Sequence, residues 1–126
     1  MRVAIGETVL ATGAAAGEPC RLVNAGAEKD VQIAPRVGGT KPGLFDRGNR
    51  RYEDVIEVDV TYASAALAQA GILTRRQAAL AASGNLVYGP AEGGNTIGPA
   101  ECRAVELVEW VGCGITLRYT ILAVEA

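Results

Sequence analysis

The stretch Tyr52–Ala63, YEDVIEVDVTYA, decides the fold. Successive side chains of a strand point to opposite faces of its sheet. Ile56, Val58, Val60 and Tyr62 therefore share one face, and Glu57, Asp59 and Thr61 share the other. The first face meets a core. The second is acidic and meets water or a wet cavity. The residues that follow, SAALAQAGILTRRQAALAAS (Ser64–Ser83), are rich in alanine and leucine, the strongest helix formers. Ser64 is suited to cap the first turn. A helix is expected over 64–83, with a break near Gly71–Thr74 and Gly84 as a left-handed C-cap. Leu67, Ala70 and Leu80 should pack on the sheet, leaving Arg75, Arg76 and Gln77 in solvent.

Strands are also expected on both sides of this pair. Downstream, Asn85–Tyr88 is short, and Glu101–Val111 and Ile115–Val124 form a hairpin across Gly112, Cys113 and Gly114. In its second strand Ile115, Leu117, Tyr119 and Ile121 alternate with Thr116, Arg118 and Thr120. Upstream, Arg2–Ala11 reads as a strand or short hairpin around Gly6, and Thr12–Pro19 as a small-residue connection. Cys20–Ala25 and Asp30–Ala34 read as short strands separated by a turn at Ala27–Lys29, with Pro35 confining the second to an edge. Residues 35–51 and 89–100 are rich in glycine and proline and read as long loops. The order predicts a single domain over residues 1–126, mainly β with one α segment. It would be an antiparallel β-sandwich or curled sheet with a flanking helix.

Composition narrows the chemistry. The chain has 126 residues, 49% of them hydrophobic and 21% charged, enough for a core without metal or disulfide support. Twelve Lys and Arg against 14 Asp and Glu leave a net charge of −2, so no global field draws the chain to nucleic acid or an acidic membrane. Histidine is absent, which removes Ser-His-Asp and Cys-His catalysis and His-ligated metals. Cys20, Cys102 and Cys113 have no C-x-x-C spacing and no histidine to activate them, and reduced thiols in a cytosolic product are expected. No apolar run is long enough to span a bilayer, and the N-terminal segment is too polar for a signal peptide. Neither a cofactor nor a metal is expected.

The remaining candidates are few. Val37–Lys41 places a lysine after glycines, but without phosphate-loop spacing or a following helix. Glu57 and Asp59 could serve as a carboxylate pair, or could form a cross-strand ion pair with Arg118 or Arg103. Arg47, Arg50 and Arg51 lie beside Phe45 and Tyr52. They suit a solvated loop or a charge complement to a neighbour better than nucleic-acid binding.

A succession of features resembles the small structural proteins of tailed phages and prophages, in particular tail-tube proteins. Phe45-Asp46-Arg47-Gly48-Asn49 leads into the alternating strand, the alanine-rich helix follows from Ser64, and the strand Leu86–Tyr88 comes next. The chain then closes on Gly-x-x-Leu-x-Tyr-x-Ile, Gly114 to Ile121. This resemblance covers roughly Leu44 to Ala123. It implies a non-enzymatic virion protein, made in the bacterial host cytoplasm, whose copies close into rings that stack as a hollow tube for DNA. Its partners would be itself and other tail proteins, with DNA passing through without specific contact, and no membrane. Val37, Lys41, Leu44, Phe45, Arg47, Arg50 and Arg51 would form an arm onto a neighbouring subunit. Glu57 and Asp59 would line the lumen and repel DNA. A tail terminator or head–tail joining protein, making a single ring, is the nearest alternative. From a different class, a small ligand-binding or enzymatic domain would use a pocket of Glu57, Asp59, Arg103 and Arg118.

Overall fold

The computed structural model describes residues 1–34, 43–89 and 95–125, with side chains over 1–29, 50–89 and 96–125. In chain order the strands are β1 (Arg2–Ile5), β2 (Thr8–Ala11), β3 (Cys20–Ala34), β4 (Gly43–Thr61), β5 (Ser83–Gly89), β6 (Asn95–Val111) and β7 (Gly114–Glu125). One helix, α1 (Ala65–Ala81), lies between β4 and β5. The fold is mainly β with one helix, as the alternation implies. The described strands join one antiparallel sheet in the order β2-β1-β5-β6-β7-β4-β3, and the sheet does not close.

Alternation places the core on the inner face of this sheet. Ile56 and Val58 of β4, Leu117, Tyr119 and Ile121 of β7, Leu86 of β5, and Val3 and Ile5 of β1 are all essentially inaccessible to solvent. Removing each such aliphatic side chain from water is worth about 1.5–3 kcal/mol. The sheet curls around this core. Neighbouring strands are about 4.8 Å apart, so a flat sheet would hold β4 and β5, three steps apart, about 14 Å from each other. Yet the Tyr88 hydroxyl on β5 donates to the Asp54 carboxylate on β4. The two edge strands β2 and β3 are consecutive in sequence. They are joined by Thr12–Pro19, where Gly13 and Glu18 bridge and a single 3₁₀ turn spans Ala14–Ala16.

Several local expectations are corrected. The turn at Ala27–Lys29 is absent, because β3 pairs with β4 from Cys20 to Ala34, with an extra β3 residue bulged between Leu22 and Asn24 and the surplus on β4 where Lys29 and Val31 face Arg50 and Asp46. Gly43–Arg51, expected as part of a loop, belongs to β4, since ladder bonds to β3 override the weak strand preference of glycine and arginine. Leu44, Phe45 and Arg47 thus occupy strand positions, whereas Val37 and Lys41 lie outside the described residues. Asn95–Ala100, also expected in a loop, belongs to β6.

The helix differs too. It runs unbroken through Gly71, where an added Cβ would lie 2.2 Å from the Tyr62 hydroxyl oxygen, and Thr74 Oγ1 donates to the Ala70 carbonyl at 3.0 Å instead of capping a second helix. Ser64 does cap the first turn, accepting from the Leu67 N–H at 3.2 Å. The buried helix face is Ala68, Gly71, Ile72 and Ala79, while Leu67, Ala70 and Leu80 are exposed. Small residues are what allow the helix to approach the sheet closely. Gly84 is not a cap. It lies in β5 at φ 130°, where a Cβ would come within 2.7 Å of the Gly6 Cα.

Candidate functional site

The outer face of the sheet carries Glu57, Asp59, Arg118, Arg103 and Arg51 of the residues singled out in the sequence. The β3–β4–β7–β6 register sets Arg21, Glu57, Arg118 and Glu106 in one row across four strands. Positive and negative side chains alternate along it. Arg118 donates to Glu57 Oε1 through Nε at 3.2 Å and Nη2 at 2.8 Å, and its Nη1 lies 3.6 Å from Glu106 Oε2. Arg21 donates to the other Glu57 oxygen, and at 3.0 Å to Asp59 Oδ2. Thr116 Oγ1 donates to Asp59 Oδ1 at 2.6 Å. Glu57 is left only 8% exposed.

The hydrogen bonds from Arg118 and then Arg21 hold the Glu57 carboxyl below its ordinary range against the opposing effect of burial. The Thr116 hydroxyl does the same for Asp59, offsetting its desolvation, with further help from Arg21. A general acid has to retain a proton near the working pH. This surrounding favours the ionised form of both carboxylates, so the row is built as a cross-strand ion-pair ladder.

Arg103 does not join it. It sits at the β6 bulge between Cys102 and Ala104 and lies in the other half of the outer face, toward the β3–β4 extension. Two adjoining clefts of about 400 and 420 Å³ open there, sharing Arg103 and Leu122. Arg51 stands opposite Val124, and Glu53 and Glu101 stand on either side of Leu122. Leu122 is 38% and Val124 44% exposed. Among the described residues Arg51, Glu53, Glu101 and Arg103 have no hydrogen-bond or ion-pair partner. Arg50 of the expected arm does have one.

A second cleft region, of about 500 Å³, lies between β2 and α1, lined by Val9, Leu10, Leu67 and Ala78. Arg75, expected in solvent, forms part of its wall. It donates to the Tyr62 hydroxyl at 2.9 Å, the Leu10 carbonyl at 3.4 Å and Glu18 Oε2 at 2.6 Å. Glu18 also accepts the Thr12 N–H at 3.2 Å. Burial raises the Glu18 pKa, but the Arg75 and Thr12 hydrogen bonds outweigh it and the net shift is downward. This cluster fastens the Thr12–Pro19 connection to the helix. Glu18 and Arg75 are 57 residues apart, so no spacing in the sequence announces the pair.

The three cysteines are unpaired, and burial pushes the Cys20 and Cys102 thiols up, away from the reactive thiolate. Among the described residues no group of three His, Cys, Asp or Glu side chains is arranged to hold a metal ion, and no helix is long and apolar enough to cross a membrane. No protein-family model and no curated protein matches the chain.

Proposed function

We propose that this chain is a non-enzymatic structural subunit of a phage or prophage tail, and that its copies associate into rings stacked as a tube for DNA. The observation that carries the reading is the β3 edge. β3 is 15 residues long and, among the described residues, has a hydrogen-bonded neighbour on one side only, β4. Leu22 and Val23 on it are each 49% exposed. An unprotected edge of this length is a template for pairing with another strand. Trp110 and Val111 add exposed apolar surface at the β6–β7 turn, which suits a protein that is covered by neighbours in its working state.

Glu57 and Asp59 are a weak choice for a DNA-repelling wall. Two guanidinium groups neutralise the two carboxylates at short range, so little field is left to project. The test is negative-stain electron microscopy of the purified protein across a concentration series. Stacked rings or filaments support a tube subunit, and single rings indicate a terminator or joining protein. A monomer at every concentration overturns the proposal.

A further inference from the structure

We infer that the cleft-bearing half of the outer face is where a second copy of this chain docks. This rests on the self-assembly proposed above and adds a two-fold contact to it, since a face that meets its own copy closes a pair and does not by itself build a ring. The patch has an apolar floor, Leu122 and Val124, and a charged surround of Glu28, Arg51, Glu53, Glu101 and Arg103. A free surface usually leaves charges in water and keeps large apolar side chains scattered. Here two exposed aliphatic residues lie side by side in register across β7's outer face, inside a frame of charges that the fold leaves unmatched. That is the anatomy of an interface, with an apolar centre and a polar rim.

The signs of the charges select the occupant. A nucleic acid needs a surface dominated by positive charge, and an acidic membrane needs the same. This frame has two arginines and three glutamates. A surface with both signs can be its own complement when a second copy faces it, so that the arginines of one copy meet the glutamates of the other. The ladder half of the same face is unsuited to this role, because its arginines are already committed to Glu57, Asp59 and Glu106.

The test uses full-length protein and two double variants, Glu53→Lys with Glu101→Lys, and Arg51→Glu with Arg103→Glu. Circular dichroism melts of both should match wild type, since all four side chains are exposed. Sedimentation velocity should show that each variant alone needs about tenfold or more higher concentration to associate. An equimolar mixture of the two should recover association near the wild-type concentration, because opposite charges then face each other. If each variant alone assembles as wild type does, the docking surface is wrong while the self-assembly reading stands. If both fold but their mixture fails to recover, charge matching between copies is wrong and the inference falls. Wild type that never associates overturns this inference together with the proposed function.

Discussion

The outer face of β4 carries Glu53 and Glu57 and treats them in opposite ways. Glu57 faces Arg21 on one side and Arg118 on the other, so its charge is enclosed. Glu53, four residues earlier on the same face, faces Gly26 and Leu122, neither of which can answer a carboxylate. Strand, face and chemistry are the same, and only the cross-strand neighbours differ. Whether a charge on a sheet stabilises the fold or stays available to a partner is therefore decided by register.

That contrast can be broken by substitution. The largest effect is expected from the opposite face of the same strand. Ile56→Ala should cost about 2–5 kcal/mol of unfolding free energy in a denaturant titration, because it leaves a cavity at a position with no solvent exposure. Glu57→Ala should cost about 1–2 kcal/mol, below the range for a deeply buried pair because Arg21 and Arg118 remain open to water. A change comparable to Ile56→Ala would mean that the ladder is as integral to the fold as the core.

Acid should sharpen the same difference. Glu57 and Glu18 are held below the ordinary 4.5, and Asp59 below 3.8. The folded state thus binds these protons more weakly than the unfolded chain. The stabilisation is complete above pH 4.5 and is lost as pH falls through the depressed folded values. Thermal melts from pH 6 to pH 2 should show the midpoint falling below about pH 4.5, with a shallower fall in Glu57→Gln. An unchanged slope in that variant would remove Glu57 from the account. The smallest effect is expected from Glu53→Ala, whose stability should stay within about 0.5 kcal/mol of wild type. A larger loss would show that the cleft-bearing half is structural after all.

Much of the sheet was legible because alternation is a local signal. Ile56, Val58 and Val60, and again Ile115, Leu117, Tyr119 and Ile121, lie on the inner face as their spacing implies. The Glu57–Arg118 pair follows from that alternation once the two strands are neighbours. Arg103 was misplaced because β7 separates β6 from β4, and the β6–β7 register gives the place beside Arg118 to Glu106 and sets Arg103 level with Thr120 and Ile121. The helix face was misread for another reason. Alanine occurs on every side of α1, so the leucines stood out as the apparent apolar stripe, whereas contact with the sheet falls to Ala68, Gly71, Ile72 and Ala79. Arg21's contacts with Glu57 and Asp59 span 36 and 38 residues and exist only once β3 pairs with β4, and Arg75's with Glu18 spans 57 and exists only once the helix meets the Thr12–Pro19 connection.

The position of β5 bears on how the chain comes off the ribosome. Among the described residues this seven-residue strand lies between β1 and β6 and is the ladder link from the β1–β2 hairpin to the rest of the sheet. β1 has β2 beside it as soon as the hairpin turns, but its other ladder partner is Leu86–Gly89 of β5. The opening residues therefore emerge long before the strand that shelters them. At synthesis rates of about 5–20 residues per second, Val3 and Ile5 wait several seconds for their second neighbours, Tyr88 and Leu86.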